Sequence, residues 1–149
     1  VSAAYLSSDE TVAQIERFST WGLGLKYQIT DWLFLAEYAK NTKDLGPDYN
    51  NDAMVFQLNY KMADRNKPNT WGVYAQWFKV GNGMTDIAKL SGAYFQYPAD
   101  SSGWAYGVKY TVSKNVVAGL EIQSLKTYGG SDKTKDANNA LQFRTDFWF

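Results

Sequence analysis

Ala140-Leu141-Gln142-Phe143-Arg144-Thr145-Asp146-Phe147-Trp148-Phe149 alternates apolar with polar side chains and stops on aromatics. Successive side chains of a β-strand point to opposite faces. Leu141, Phe143, Thr145, Phe147 and Phe149 therefore share one face, and Gln142, Arg144, Asp146 and Trp148 the other. Free chain ends are normally polar and frayed, so an aromatic end leads us to expect that something outside an ordinary aqueous fold receives it.

The same period of two runs back through the chain. Trp21, Leu23, Leu25, Tyr27 and Ile29 alternate with Gly22, Gly24, Lys26 and Gln28, and Asp31 marks a tight turn. Trp32, Phe34, Ala36 and Tyr38 then stand opposite Leu33, Leu35 and Glu37, and Met54, Phe56, Leu58 and Tyr60 opposite Val55, Gln57, Asn59 and Lys61. Trp71, Val73, Ala75 and Trp77 alternate with Gly72, Tyr74, Gln76 and Phe78. Trp104, Tyr106, Val108 and Tyr110 alternate with Ala105, Gly107, Lys109 and Thr111, and Val116, Ala118, Leu120 and Ile122 with Val117, Gly119, Glu121 and Gln123. Strands are predicted near 1–8, 18–30, 32–42, 52–62, 70–80, 103–112, 115–126 and 138–149, with 9–17 a polar loop. The connections alternate long and short, as in transmembrane barrels with short periplasmic turns and longer extracellular loops. In the longest, the apolar run Ala93-Tyr94-Phe95-Gln96-Tyr97 is expected to fold over or into the barrel mouth.

Composition fits this reading. Mean hydropathy is −0.43, and without a run of 18 apolar residues a helical membrane protein is excluded. Aromatics make up 17% of the 149 residues, with Trp 6 and Tyr 11, as girdles at two membrane interfaces require. Cys 0 removes disulfides and thiol chemistry, and the balance of Lys+Arg 15 against Asp+Glu 15 leaves no field to attract nucleic acid. The sequence opens Val1-Ser2-Ala3-Ala4-Tyr5 without an initiator Met or a leader. The expectation is that a leader has been removed or that this is part of something longer.

A charge in hydrocarbon is costly, so the face bearing Glu37 is the inner one. Lys26, Glu37, Gln57, Asn59, Lys61, Tyr74, Gln76, Lys109, Glu121, Gln123, Arg144 and Asp146 are the candidate pore-lining residues. Trp21, Tyr27, Trp32, Tyr38, Tyr60, Trp71, Trp77, Trp104 and Tyr110 are the candidate membrane girdle. Pairs such as Trp71 and Trp77 are six residues apart, about 20 Å at roughly 3.3 Å per residue. A soluble sandwich also alternates, but its core favours Val, Ile and Leu over Trp and Tyr at strand ends. Inner glycines such as Gly107 relieve crowding or help strands curve. With His 0 the usual catalytic base and the commonest zinc ligand are missing. Neither an enzyme nor a metal or other cofactor is expected, and loop charges such as Asp132-Lys133-Thr134-Lys135-Asp136 read as solvated.

The terminal aromatic pattern resembles that of bacterial outer-membrane β-barrel proteins, whose last strand typically ends in Phe. Lys61-Met62-Ala63-Asp64-Arg65-Asn66-Lys67-Pro68-Asn69-Thr70-Trp71-Gly72-Val73-Tyr74 is similar to a periplasmic turn of the S-layer-homology-type porins of diderm Firmicutes. So is Gly103-Trp104-Ala105-Tyr106-Gly107-Val108-Lys109-Tyr110-Thr111-Val112-Ser113-Lys114-Asn115. The similarity covers about the last two-thirds of the chain; no S-layer-homology domain or coiled-coil stalk accompanies it. The resemblance implies one transmembrane antiparallel up-and-down β-barrel domain over 1–149, located in the outer membrane of a diderm bacterium. It also implies Phe149 as a signal to the barrel-assembly machinery, contact with outer-membrane lipid, and a homotrimer. Its function is then a water-filled channel for passive diffusion of small hydrophilic solutes and ions, with the chain as the C-terminal half of a larger porin. The alternative is a closed eight-stranded barrel with a structural, adhesion or envelope-tethering role and no pore.

Overall fold

A computed structural model describes residues 2–6, 11–12, 15–16, 20–84, 100–128 and 138–149, with side chains described from Trp21 onward and at 138 the backbone alone. The strands are β1 (Ser2–Leu6), β2 (Thr11–Val12), β3 (Ile15–Glu16), β4 (Thr20–Ile29), β5 (Trp32–Asn41), β6 (Asp52–Tyr60), β7 (Trp71–Val80), β8 (Ser101–Ser113), β9 (Val116–Thr127) and β10 (Asn138–Phe147). A single 3-10 turn, Asn82–Met84, follows β7. No α-helix occurs among the described residues. The strands fall where the period of two places them, because that period is the pleat of the strand itself. The expected loop over 9–17 instead contains the small β2–β3 hairpin. Ala93–Tyr97 and Asp132–Asp136 lie outside the described residues.

One sheet of eight strands runs β1-β4-β5-β6-β7-β8-β9-β10, and every pairing in it is antiparallel. From β4 to β10 each strand lies beside its successor, an up-and-down meander of seven. Two of the turns at one end are two residues long. Thr30, with φ 50°, helps reverse the chain between Ile29 and Trp32, and Asn115, with φ 65°, does so between Ser113 and Val116. The third turn at that end, residues 61–70, has the same length as the 42–51 connection at the other end, so the strict long–short alternation does not hold. It is nevertheless tied down. Thr70 Oγ1 accepts from the Asp64 amide at 2.8 Å, Thr111 Oγ1 donates to the Asp64 carbonyl at 3.1 Å, and the Asn115 amide donates to the Arg65 carbonyl at 2.7 Å.

The sheet is not closed into a barrel. β1 has five residues, all paired to the Thr20–Gly24 half of β4, and no ladder joins it to β10 among the described residues. The alternative of a closed eight-stranded barrel is corrected accordingly. Closure needs the two outermost strands to share a ladder, and here Leu25–Ile29 of β4 and the far edge of β10 are left at the sheet margins.

One face of this sheet is buried through the middle strands. At the end bearing the 42–51 connection, Ala39, Ala53, Val55, Phe78, Val80, Met84 and Ala105 form its apolar core, with Leu125 against it. A clasp of asparagines closes over them. Asn41 Nδ2 donates to the Gly83 carbonyl at 3.1 Å, the Asn50 amide to Asn82 Oδ1 at 2.7 Å, and Asn82 Nδ2 to the Asp48 carbonyl at 3.0 Å.

Candidate functional site: a sheet with two unlike faces

The exposed face is apolar across its whole width. In antiparallel register the two members of a pair point to the same side, so the pairings Tyr27↔Phe34, Phe34↔Leu58, Leu58↔Ala75, Ala75↔Tyr106, Tyr106↔Ile122 and Ile122↔Leu141 trace one row through seven strands. Large side chains in it are left uncovered, with Tyr27 at 59%, Ile122 at 55% and Leu141 at 70% exposure. Aromatic belts border the row. Trp32 and Tyr60 have ring centres 4.8 Å apart, and Tyr60 and Trp71 6.1 Å, with Tyr110 opposite Trp71 in register. Toward the other end Trp21 and Tyr38 meet at 5.4 Å, and Trp77 faces Trp104. All nine residues assigned to the girdle lie on this face, which no helix or second sheet covers among the described residues. No described helix is long and apolar enough to cross a membrane, a statement that does not extend to strands.

The other face is polar below its apolar core. Gln57, Gln76 and Gln123 stand in one register row, with Lys26 at its β4 end. Asn59, Tyr74 and Glu121 stand in the next, with Gln28 and Gln142 at its two ends. Glu121 is 0% exposed, and a buried carboxylate must be hydrogen-bonded. Tyr74 donates its hydroxyl to Glu121 Oε2, and Gln123 Nε2 donates to Oε1. Gln57 Nε2 donates to Asn59 Oδ1 at 2.6 Å, and Asn59 Nδ2 to the Leu33 carbonyl at 3.2 Å. Lys109 Nζ lies 5.3 Å from the centre of the Tyr74 ring, and Arg144 Nε pairs with Asp146 Oδ1 at 2.6 Å. Burial fades toward the margins: Lys26 and Arg144 are exposed, while Gln57, Gln76 and Gln123 are not.

Eleven of the twelve residues assigned to the lumen share this face: Lys26, Glu37, Gln57, Asn59, Tyr74, Gln76, Lys109, Glu121, Gln123, Arg144 and Asp146. Lys61 does not. Its φ of 56° ends the alternation after Tyr60, and its ammonium stands 4.9 Å from the Trp71 ring centre and 5.7 Å from that of Tyr60. It therefore joins the aromatic belt. Phe149 lies beyond the end of β10 and is fully exposed.

Two features went unread in the sequence. Each inner row mixes residues from seven strands, so the clustering of Tyr74, Glu121 and Gln123 needs the register. The exposed face also ends in charge, with Lys40, Lys79 and Lys126 each the last outward residue of its strand. That signal was present in the alternation. No family model, curated protein or solved structure matches this chain.

Proposed function

We propose that this sheet is part of the wall of an outer-membrane β-barrel of porin type, passing small hydrophilic solutes and ions by passive diffusion. The observation that carries the reading is the exposed face. From Trp21 to Phe147 its strand positions between the belts hold no charge, and aromatic belts border an apolar band. Burying one large apolar side chain is worth about 1.5–3 kcal/mol, and soluble monomers rarely leave contiguous apolar patches beyond a few hundred Å². Lipid satisfies such a face; water does not. Strands β4 to β10 have 9 to 13 residues, against the roughly 9–11 that a tilted transmembrane strand needs.

The open margins favour a larger barrel over a closed eight-stranded one, because an unpaired sheet edge is not tolerated in hydrocarbon. Further strands would continue the wall beyond β1 and β10. Larger barrels enclose a water-filled channel, which suits the exposed inward charges Lys26 and Arg144 at the margins of the polar face. The tight turns Thr30–Asp31 and Lys114–Asn115 take the periplasmic side, and the 42–51 connection and the Val80 and Ser101 ends of β7 and β8 the extracellular side.

The apolar cluster of Phe78, Met84 and Val55 on the inner face favours a second reading, a plugged barrel without conductance. Conductance of the native full-length polypeptide in a planar bilayer decides. Stepwise ohmic currents are expected; their absence at all voltages leaves the plugged barrel.

A further inference from the structure

On the exposed face the strands β4 to β10 carry charge at four described positions only, Lys40, Asp52, Lys79 and Lys126. They fall in two adjacent register rows at the same end of the sheet. Lys40 faces Asp52 across β5 and β6, while Lys79 and Lys126 flank Ser102 across β7, β8 and β9. Along their own strands Lys40 lies one outward position beyond Tyr38, Lys79 one beyond Trp77 and Ser102 one beyond Trp104, so together these residues cap the upper aromatic belt. Lys79 Nζ bonds Asp52 Oδ2 at 3.1 Å and lies 4.2 Å from the Tyr128 ring centre, and the Tyr128 hydroxyl donates to Asp52 Oδ1 at 3.3 Å. Asp52 offsets one lysine and fixes its direction. Lys40 and Lys126, both exposed, leave a surplus of positive charge.

We propose that this ledge binds the phosphate of an anionic membrane lipid between Lys126, Ser102 and Lys79, with Lys40 at its flank. The proposal rests on the reading that the exposed face meets lipid. Lysine stems run along apolar surface and deliver the ammonium to the polar boundary. Strands two apart are separated by roughly 10 Å, which two lysine stems span to reach one phosphate, and the ammoniums supply charge-assisted hydrogen bonds. The Ser102 hydroxyl supplies a further donor. Below the ledge, Trp104, Ile122 and Leu120 form an apolar floor on the same face. A phosphate carrying acyl chains uses both parts at once, whereas free phosphate uses only the ledge.

The test folds the full native polypeptide into phosphatidylcholine vesicles in which either brominated phosphatidylcholine or brominated phosphatidylglycerol quenches tryptophan fluorescence. Wild type is expected to prefer the phosphatidylglycerol. The double variant Lys40→Gln/Lys126→Gln, which keeps the Asp52–Lys79 pair, is expected to lose on the order of fivefold of that preference for each lysine, with phosphatidylcholine quenching unchanged. Lys126→Glu alone is expected to reverse the preference. Equal quenching by both lipids in wild type, or an undiminished preference in the variants, overturns the ledge while the lipid-facing reading stands. No quenching by either lipid overturns both.

Discussion

Tyr74 on β7 reaches Glu121 on β9 across β8, because the residue between them in register is Gly107. A Cβ on Gly107 would overlap the Tyr74 ring. The absence of a side chain at one position thus lets a phenol lie across a whole strand and satisfy a buried carboxylate. Gly107→Ala is expected to cost about 1–3 kcal/mol, the usual range for overpacking, read from urea unfolding in detergent. Tyr74→Phe removes one of the hydrogen bonds that the Glu121 carboxylate accepts and is expected to cost about 1–3 kcal/mol. Since both changes act on one contact, the double variant is expected to cost less than their sum. Strict additivity would dissociate the glycine from the hydrogen bond.

Thr111 is fully buried beneath the 61–70 turn, bonding the Asp64 carbonyl and meeting Thr70 Oγ1 at 3.1 Å. Thr111→Val keeps the shape and removes the hydroxyl, at an expected cost of about 1–2 kcal/mol. Thr70→Val breaks more, because Thr70 also donates to the Lys67 carbonyl and accepts from the Asp64 amide. Proteolysis within 61–70 is the sensitive readout. Unchanged cleavage in both variants would show that these threonines do not hold the turn.

The alternation itself can be read by chemistry, since the sequence has no cysteine and single cysteines introduced into it are unambiguous. On β10, Gln142→Cys and Arg144→Cys lie on the inner face, and Leu141→Cys and Phe143→Cys on the outer. In vesicles, a charged water-soluble thiol reagent is expected to modify the first pair and spare the second. Modification of all four positions alike would place both faces of β10 in water and remove the lipid boundary.

Strand positions and facing were legible because a period of two needs no knowledge of neighbours. Trp71, Val73 and Ala75 declare their face from β7 alone. Lys61 departs from the alternation for the same reason: a period of two predicts an inward residue after Tyr60, but a left-handed φ turns the chain there and the ring of Trp71, ten residues on, becomes the lysine's neighbour. The contact of Tyr74 with Glu121 is separated by 47 residues, and nothing local to either strand encodes it. Closure is likewise a property of the two sheet margins. The short ladder of β1 on β4, which decides it here, has no signature in the residues 2–6.

Moving Lys61 to the belt changes the expected charge of the inner wall. Lys26, Lys109 and Arg144 now stand against Glu37, Glu121 and Asp146 on that face, three cations to three anions. Charged side chains lining a pore set its ion preference, so a balanced wall is expected to discriminate weakly, with a reversal potential near zero under a potassium chloride gradient. Lys109→Gln/Arg144→Gln removes two of the three cations and is expected to shift the reversal potential toward cation preference. The Arg144 change alone also frees Asp146, its partner at 2.6 Å, and is expected to give the larger part of the shift. Lys61→Gln is expected to leave selectivity unchanged, its ammonium lying over Trp71 on the opposite face. A shift in the Lys61 variant as large as in the Lys109/Arg144 pair would return Lys61 to the lumen and invalidate the division of faces at that end of the sheet.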